Sequence, residues 1–370
     1  MLPLAIFLSA VAQNAPAERR LATPDAVLPH EFSQIRGARH LADGRVLVTD
    51  WIEEAVGVAD FSRGTLTPLG RKGSGPHEYR LPTALVALPG DSTLLVDEGN
   101  ARLAIIAPNL RIVRSFSSHR PGMNHGIVPR AADGMGRLYF EIPAWAEPSN
   151  VRSDTVTVAR WDPRTEKVER LMRVKGITYR TRTNTPGLPY VIFAPRDGWQ
   201  ADRSGNIAVA RSAGFRVEWR MADGSMVRGS STPYRPLTVT RRDRLDYVTR
   251  FMASAVIADR GGTMAPVPDA HRDAKEIAAL TDRQEYAPVR PPFTDRAPMI
   301  GPDGLLWVER SVPVGTPRVY DRFDARGARR AAVVFPTGRR LLALGPAVLY
   351  AIATDDDGIE RLERYRIPPA

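Results

Sequence analysis

A short turn rich in Asp and Gly, followed by a run of apolar β-type residues, recurs along the chain. A second run, in which apolar and polar residues alternate, follows each copy, as at residues 56–61 and 216–219. Alternation with a period of two is typical of half-buried antiparallel strands. The pattern therefore predicts repeated antiparallel units. The copies occupy residues 42–48, 90–96, 134–140, 203–209, 302–308 and 345–351.

The spacing of the copies predicts the fold. Equivalent positions in successive copies are 48, 44, 69, 99 and 43 residues apart, and three of these separations match a propeller blade of about 40 to 50 residues. We predict an all-β fold, a six-bladed β-propeller of four-stranded antiparallel blades. The sixth copy ends after three strands, so a segment within residues 17–29 is expected to supply its outer strand and close the ring.

The two long separations predict insertions on one face of the ring. Short turns are expected between strands one and two and between strands three and four of each blade. The loops between strands two and three and the crossings between blades lie on the opposite face, which we call the long-loop face. It would carry the excess length, at residues 141–154, 176–198 and about 229–296, the last between blades 4 and 5. Loops on a rigid scaffold often carry function, so we expect the ligand there.

The largest insertion is predicted to contain two helices. Between residues 240 and 259, Leu245, Val248 and Met252 recur at three-to-four spacing, and two glycines then end the pattern. A shorter helix is expected within residues 269–280. The helices are expected to cap the axial channel, with a mobile lid as the alternative.

The second repeat carries a family motif. Residues 73–82 read GSGPHEYRLP and residues 96–103 read VDEGNARL, which resembles the NHL repeat of bacterial six-bladed β-propellers. The full motif covers only residues 70–116, and the first repeat keeps Asp50 but not the later Asn and Arg of the motif. The spacing itself predicts that Asp97 and Arg102 bracket the loop between strands two and three.

Composition narrows the possible functions. The chain has no cysteine, which excludes disulfide scaffolds, thiol nucleophiles and zinc ribbons. Lys and Arg total 52 against 41 acidic residues, a net charge of +11, and only four of the basic residues are lysine. This bias fits either an arginine-rich proteome or an anionic partner, because the planar guanidinium suits carboxylate, sulfate and phosphate groups.

Residues 2–12 form an apolar run that ends in Ala-Val-Ala. The run is too short to span a membrane and fits a signal peptide over residues 1–12, although no basic residue precedes it. Residues 13–370 would then form a single propeller domain, located in the periplasm or secreted.

Catalytic motifs are missing, whereas basic and aromatic residues cluster on the predicted long-loop face. The sequence has no HExxH or GxSxG motif. Residues 70–75 resemble a phosphate-binding loop but lack its final Gly-Lys-Ser/Thr. The clustered residues could bind an anionic or sugar-like ligand by bidentate contacts and stacking, or could form an ordinary solvated face. The candidates are Arg71, Lys72, His77, Tyr79, Arg80, His119, His125, Trp145, Arg180, Arg182, Tyr190, Arg196 and Arg211.

These observations favour a non-catalytic, monomeric binding module for a protein, peptide or glycan ligand, without a cofactor, nucleic acid or membrane span. The alternative is a hydrolase or lyase with a metal such as Ca²⁺ at the axial channel, because related six-bladed propellers resemble lactonases and lyases that use such ions. The metal ligands would then be sought among Asp50, Asp97, Glu141 and Glu309. RNA binding, known for some NHL propellers, is a third interpretation, which the predicted signal peptide disfavours.

Overall fold

Six antiparallel sheets stand in a ring, which confirms the predicted six-bladed β-propeller. The structure is a computed structural model. It describes residues 18–120, 123, 125–146, 153–180, 188–254, 256–258, 264–266, 273–355 and 357–368. The predicted signal peptide lies outside these residues.

The described chain starts with β1 (Glu18–Arg20) and β2 (Ala26–Phe32), and the first three blades follow in order. Blade 1 contains β3 (Ile35–His40), β4 (Val46–Asp50), β5 (Ala55–Asp60) and β6 (Thr65–Pro68). A small parallel pair, β7 (Arg71–Lys72) and β8 (Glu78–Tyr79), leads to blade 2. Blade 2 contains β9 (Pro82–Ala87), β10 (Thr93–Asp97), β11 (Arg102–Ile106) and β12 (Ile112–Ser117). Blade 3 contains β13 (Ala131–Ala132), β14 (Leu138–Ile142), β15 (Thr155–Asp162) and β16 (Lys167–Lys175).

Blades 4 to 6 complete the ring. Blade 4 contains β17 (Gly198–Ala201), β18 (Ile207–Arg211), β19 (Arg216–Arg220) and β20 (Met226–Arg228). The insertion follows, with β21 (Leu237–Thr238), α1 (Arg241–Ser254), β22 (Val256–Ala258), β23 (Met264–Pro266), α2 (Ala274–Asp282) and β24 (Val289–Arg290). Blade 5 contains β25 (Met299–Ile300), β26 (Leu306–Arg310), β27 (Val319–Phe323) and β28 (Arg329–Val334). Blade 6 contains β29 (Arg339–Gly345), β30 (Val348–Thr354) and β31 (Glu360–Arg366). Short 3-10 turns occupy Pro89–Asp91, Glu98–Asn100 and Ala144–Ala146.

The ring closes through the N-terminal strands. β2 pairs antiparallel with β31 and supplies the fourth strand of blade 6, which confirms the predicted closure, although the strand continues past residue 29 to Phe32. β1 adds a feature that was not predicted, because it pairs in parallel with β28 as a fifth strand of blade 5. The N-terminal segment thus contributes one strand to blade 5 and one strand to blade 6, the last two blades in the sequence.

The inner strands face the axis, and the core lies between blades. Each innermost strand, from β3 round to β29, contacts the innermost strands of its two neighbours. The second strands are covered on both faces, and β4 and β10 are buried along their whole length. One core cluster joins Tyr139 and Val158 of blade 3 to Trp199 and Val209 of blade 4.

The recurrent turn in the sequence has a local cause. In blade 3, the Asp133 carboxylate accepts hydrogen bonds from the backbone N–H groups of Met135 and Arg137. Gly136 has a φ of 79°, in the left-handed region that glycine adopts most easily. Blade 4 repeats this turn with Asp202 and Gly205.

The insertion differs from its prediction in detail. α1 ends at Ser254, before the predicted end at residue 259, and the following residues Val256–Ala258 pair with Met264–Pro266 as a hairpin. β-Branched residues such as Val256 and Ile257 favour strands over helices. α2 begins after Asp273, whose side chain accepts a hydrogen bond from the backbone N–H of Glu276. Neither described helix has the length and apolar character needed to cross a membrane.

Candidate functional site

Six arginines, one from each blade, occupy similar positions at the long-loop end of the innermost strands. Each lies within three residues of the first residue of the innermost strand of its blade, where the chain enters from the long-loop face. We call this set the axial arginine ring: Arg36, Arg80, Arg130, Arg196, Arg296 and Arg340. The ring forms because the propeller brings equivalent positions of separate repeats to one mouth.

The charges of the ring influence one another. Burial lowers the pKa of Arg340, and the positive charge of Arg296 in the neighbouring blade lowers it further. Protein atoms that displace water in the mouth lower the pKa of Arg36, and Arg296 again adds to the decrease. Arg196 acts in the same direction on Arg130. The mouth therefore concentrates positive charge.

Four glutamates partly compensate this charge, and three of them each contact two cationic side chains. Glu141 of blade 3 lies 2.9 Å from Arg130 and 3.4 Å from Arg196, and it accepts a hydrogen bond of 2.8 Å from the indole of Trp199. Glu54, in the loop after β4, lies 2.5 Å from Lys72 Nζ and 3.8 Å from Arg80 Nε.

Glu309 of blade 5 is the third shared carboxylate. It lies 2.5 Å from Arg318 and 3.3 Å from Arg296, and the Tyr320 hydroxyl donates to it at 3.1 Å. The Glu309 side chain is only 4% exposed, whereas that of Arg296 is 44% exposed. The arginine therefore presents its charge to solvent while the carboxylate stays behind it.

Arg36 is the ring member whose charge is least compensated. Its guanidinium lies 4.5 Å from the centre of the Trp51 ring, a cation–π distance, and the side chain is exposed. No carboxylate forms an ion pair with it among the residues that the structure describes. Glu360 lies close but is bound 3.0 Å from Arg340, and it accepts a 2.6 Å hydrogen bond from the backbone N–H of Ile35. Arg36 is thus free to bind an external anion.

The crossing between blades 3 and 4 and the large insertion pack together into one unit, which we call the cap. The crossing between blades 3 and 4 pairs with the large insertion, since the Ile192 N–H donates to Glu285 and the Ala287 N–H donates to Ile192. Aromatic residues fill the junction, with Phe193 5.4 Å from Tyr247 between ring centroids. Burial raises the pKa of Tyr247 well above its usual range, and the charge of nearby Asp295 adds to this. Asp295 directly precedes Arg296 of the ring in the sequence.

Four of the sequence-predicted residues belong to the ring, to its ion pairs or to the cap. Arg80 and Arg196 belong to the axial arginine ring, and Lys72 pairs with the same Glu54 as Arg80. Tyr190 lies in the cap, 3.4 Å from Tyr247 between hydroxyl oxygens. Lys72 and Arg80 thus share one carboxylate, whereas Tyr190 contacts the insertion.

Other predicted residues lie in structural roles away from the ring. Tyr79 is 2% exposed, and its hydroxyl accepts a hydrogen bond from the Val56 N–H, so it belongs to the core and not to a ligand surface. Arg71 pairs with Glu78 at 2.7 Å, and His77 hydrogen-bonds the carbonyl of Ile112.

The remaining candidates fall into local contacts. Arg211 pairs with Asp197 and Glu218, both at 2.8 Å, and Arg180 lies 3.5 Å from Glu285 in the cap. His125 packs edge-on against the exposed Trp145, at a centroid distance of 5.3 Å. His119 is exposed and forms a β-bridge with Gly126. Arg182 lies outside the described residues.

The four carboxylates considered as metal ligands each have partners of their own. Asp50 accepts from the backbone N–H groups of Ser33 and Gln34, while Glu141 and Glu309 pair with arginines as above. Asp97 is fully buried and binds Arg102 Nε at 2.6 Å, which confirms the predicted bracket around the loop. Within the described ranges, no three His, Asp or Glu side chains form a group that could hold a metal ion.

Sequence reasoning missed Arg36, Arg130, Arg296 and Arg340. The available signal was an arginine shortly before each of the six recurrent turns. The distance from arginine to turn varies between repeats, because β-bulges and crossings of different length intervene. Only the ring geometry makes these positions equivalent.

The whole chain is similar in fold to solved structures but not in sequence to known families. No protein-family model and no curated protein matches it. Among solved structures it is similar to regucalcin, a calcium-binding protein from Agrobacterium tumefaciens, with 12% identity over 94% of this chain and 95% of the other and a TM-score of 0.45. It is also similar to a gluconolactonase from Xanthomonas campestris, with 12% identity, 94% and 96% coverage and a TM-score of 0.47.

A third similar structure is virginiamycin B lyase from Staphylococcus aureus, with 10% identity over 93% of this chain and 88% of the other and a TM-score of 0.39. At sequence identities this low, a shared fold does not imply a shared activity, because propellers host many functions. The NHL character of the second repeat stays a prediction.

Proposed function

We propose that the protein is a non-catalytic binding module that takes an anionic ligand at the axial mouth of its long-loop face. The observation that carries the proposal is the axial arginine ring. Its six arginines, with Lys72 and Arg318, outnumber the glutamates that pair with them. Arg36 and Arg296 present exposed guanidinium groups there.

The chemistry of the mouth favours a ligand with several oxyanion groups. Guanidinium groups bind carboxylate and sulfate by paired, charge-assisted hydrogen bonds. Arginines from opposite sides of the channel can contact more than one such group on the same ligand. A uronate oligosaccharide and an acidic peptide share this chemistry, and the experiment below distinguishes them.

The proposal includes action as a monomer outside the cytoplasm. The proposed location is based on the apolar run of residues 2–12 alone. Fractionation of a bacterial host that expresses the full chain tests it, since retention in the cytoplasm would contradict an exported protein.

Calorimetric titration tests the binding site. The probes are tetragalacturonate and a tetraglutamate peptide, and the proteins are the full chain and the variants R36Q and R296Q. We expect saturable binding of one probe, weakened at least about tenfold by each substitution, because each removes a charge-assisted contact. Affinity should also fall as NaCl is raised, since exposed charges are screened.

R63Q is the matched control. Arg63 is 81% exposed in a turn on the opposite face, so its removal changes the net charge by the same amount without touching the mouth. Equal loss of affinity in R63Q and R36Q would reduce the effect to overall charge and overturn the proposal. Binding that depends on added Ca²⁺ would instead support the metal-dependent alternative.

A further inference from the structure

A second cavity lies between blades 2 and 3, away from the axial mouth. Its volume is about 270 Å³, and it is lined by turns on the short-turn face of both blades and by the outer strands of blade 2. Its depth reaches Leu94 and Leu138, each 1% exposed, in the core cluster between the two blades. The interface between blades thus leaves an apolar space that opens opposite to the axial arginine ring.

Aromatic and guanidinium groups alternate along one wall of the cavity. Phe116 and Trp161 lie 5.5 Å apart between ring centroids. Arg120 lies 4.2 Å from the centre of the Trp161 ring, and Arg114 lies 5.6 Å from that of Phe116. Flat apolar surface and positive charge therefore occur side by side, an arrangement that suits a planar ligand with a negative charge.

The polar groups of this wall are incompletely compensated. Arg120 pairs with Glu166 at 3.2 Å, but its Nε and the Nε1 of Trp161 are buried and have no hydrogen-bond partner in the part of the chain that is described. Arg114 is exposed and forms no ion pair with any described residue. Buried donors without acceptors and an unpaired arginine together make the wall electropositive.

We propose that this cavity binds a small aromatic carboxylate, with its ring in the apolar space and its carboxylate at Arg114. The volume is near the lower end of the range for small-molecule sites, so the ligand is limited to one or two fused rings. A cation is disfavoured because Glu166, the acidic residue of the lining, is already paired with Arg120. This inference is independent of the proposed function at the axial mouth.

Titration of the full chain with 1-naphthylacetate, an aromatic acid of suitable size, tests the proposal. We expect one binding site per chain and an affinity at least about tenfold higher than that for the neutral 1-naphthylacetamide, because only the acid gains a charge-assisted contact. R114M should remove this preference for the acid. R36Q should leave the binding unchanged, which separates this site from the axial mouth.

Two further variants make the result specific. S92W places a large side chain at the rim, where Ser92 lines the cavity, and should abolish binding of both compounds. R111M removes an exposed arginine of the same blade outside the lining and should have no effect. The proposal is overturned if the acid shows no saturable binding up to about 10 mM, or if R114M and R111M bind the acid equally well. Because Arg114 is exposed, R114M tests the site even if S92W fails to fold.

Discussion

At the residue scale, the protein uses arginine both for structure and for the candidate site. Arg102 hydrogen-bonds the fully buried Asp97 inside a blade, whereas the exposed guanidinium of Arg36 lies over the ring of Trp51. The sequence shows the abundance of arginine but not this division. Tyr79 is an instructive case, because it stands beside basic residues in the sequence yet points into the core. Which side of a short strand faces inward depends on its partner strands.

Glu309 offers a test in which stability and binding change in opposite directions. E309Q removes the carboxylate shared by Arg296 and Arg318, so we expect the free energy of unfolding to fall by about 2 kcal/mol, discounted for the exposure of the arginines. Affinity for the anionic probe should rise, because two guanidinium groups lose their internal partner. Urea unfolding and calorimetry measure the two effects.

Glu169 provides the comparison for E309Q. Its side chain is 54% exposed and pairs only with Arg160 among the ion pairs described. E169Q should change the free energy of unfolding by less than about 0.5 kcal/mol. A decrease in anion affinity for E309Q would contradict the view that Glu309 competes with the ligand for arginines.

Lowering the pH should reduce the free energy of unfolding, partly through protonation of Glu218. Burial tends to raise the pKa of this carboxyl, but hydrogen bonds from Arg211 and Arg216 outweigh it, and the pKa lies below the ordinary value of 4.5. A lowered carboxyl pKa contributes stability that is present above 4.5 and is lost as the pH falls through the folded-state value. The stability difference between wild type and E218Q in urea unfolding should therefore shrink from pH 7 to about pH 3. A constant difference would argue against this pairing.

At the scale of elements, alternation and turn chemistry were sufficient to predict the blades, and the exceptions have local causes. Each repeat contains its own turn signal, such as Asp133 with Gly136. The pairing of β1 with blade 5 could not be predicted, because three exposed residues carry no periodic signal. α1 was predicted too long because the apolar spacing continues into Val256, which joins a hairpin.

The closing strand β2 can be tested with a matched pair. Leu28 is fully buried in the cluster between blades 6 and 1, whereas its neighbour Val27 is 46% exposed. L28A should lower the free energy of unfolding by about 3 kcal/mol through lost burial and a cavity. V27A should cost less than about 1 kcal/mol. Similar small losses in both variants, measured by urea unfolding, would mean that β2 does not close the ring.

At the scale of the whole molecule, repeat length determined the architecture, but the site arises only on assembly. Counting repeats predicted six blades and the position of the insertion between blades 4 and 5, both confirmed by the sheet order. The axial arginine ring joins residues from Arg36 to Arg340, which are distant in sequence. Residues that lie this far apart in the sequence form no local motif. The sequence alone therefore pointed to only two members of the ring, Arg80 and Arg196.

Anomalous diffraction from crystals grown with selenate would show whether the axial arginine ring binds oxyanions, because selenate carries the charge and shape of the proposed oxyanion groups. We expect a selenium peak within hydrogen-bond reach of Arg36 and Arg296 or Arg340 at the axial mouth, absent in R36Q crystals. An axial mouth without selenium, with peaks only at scattered surface arginines, would contradict it.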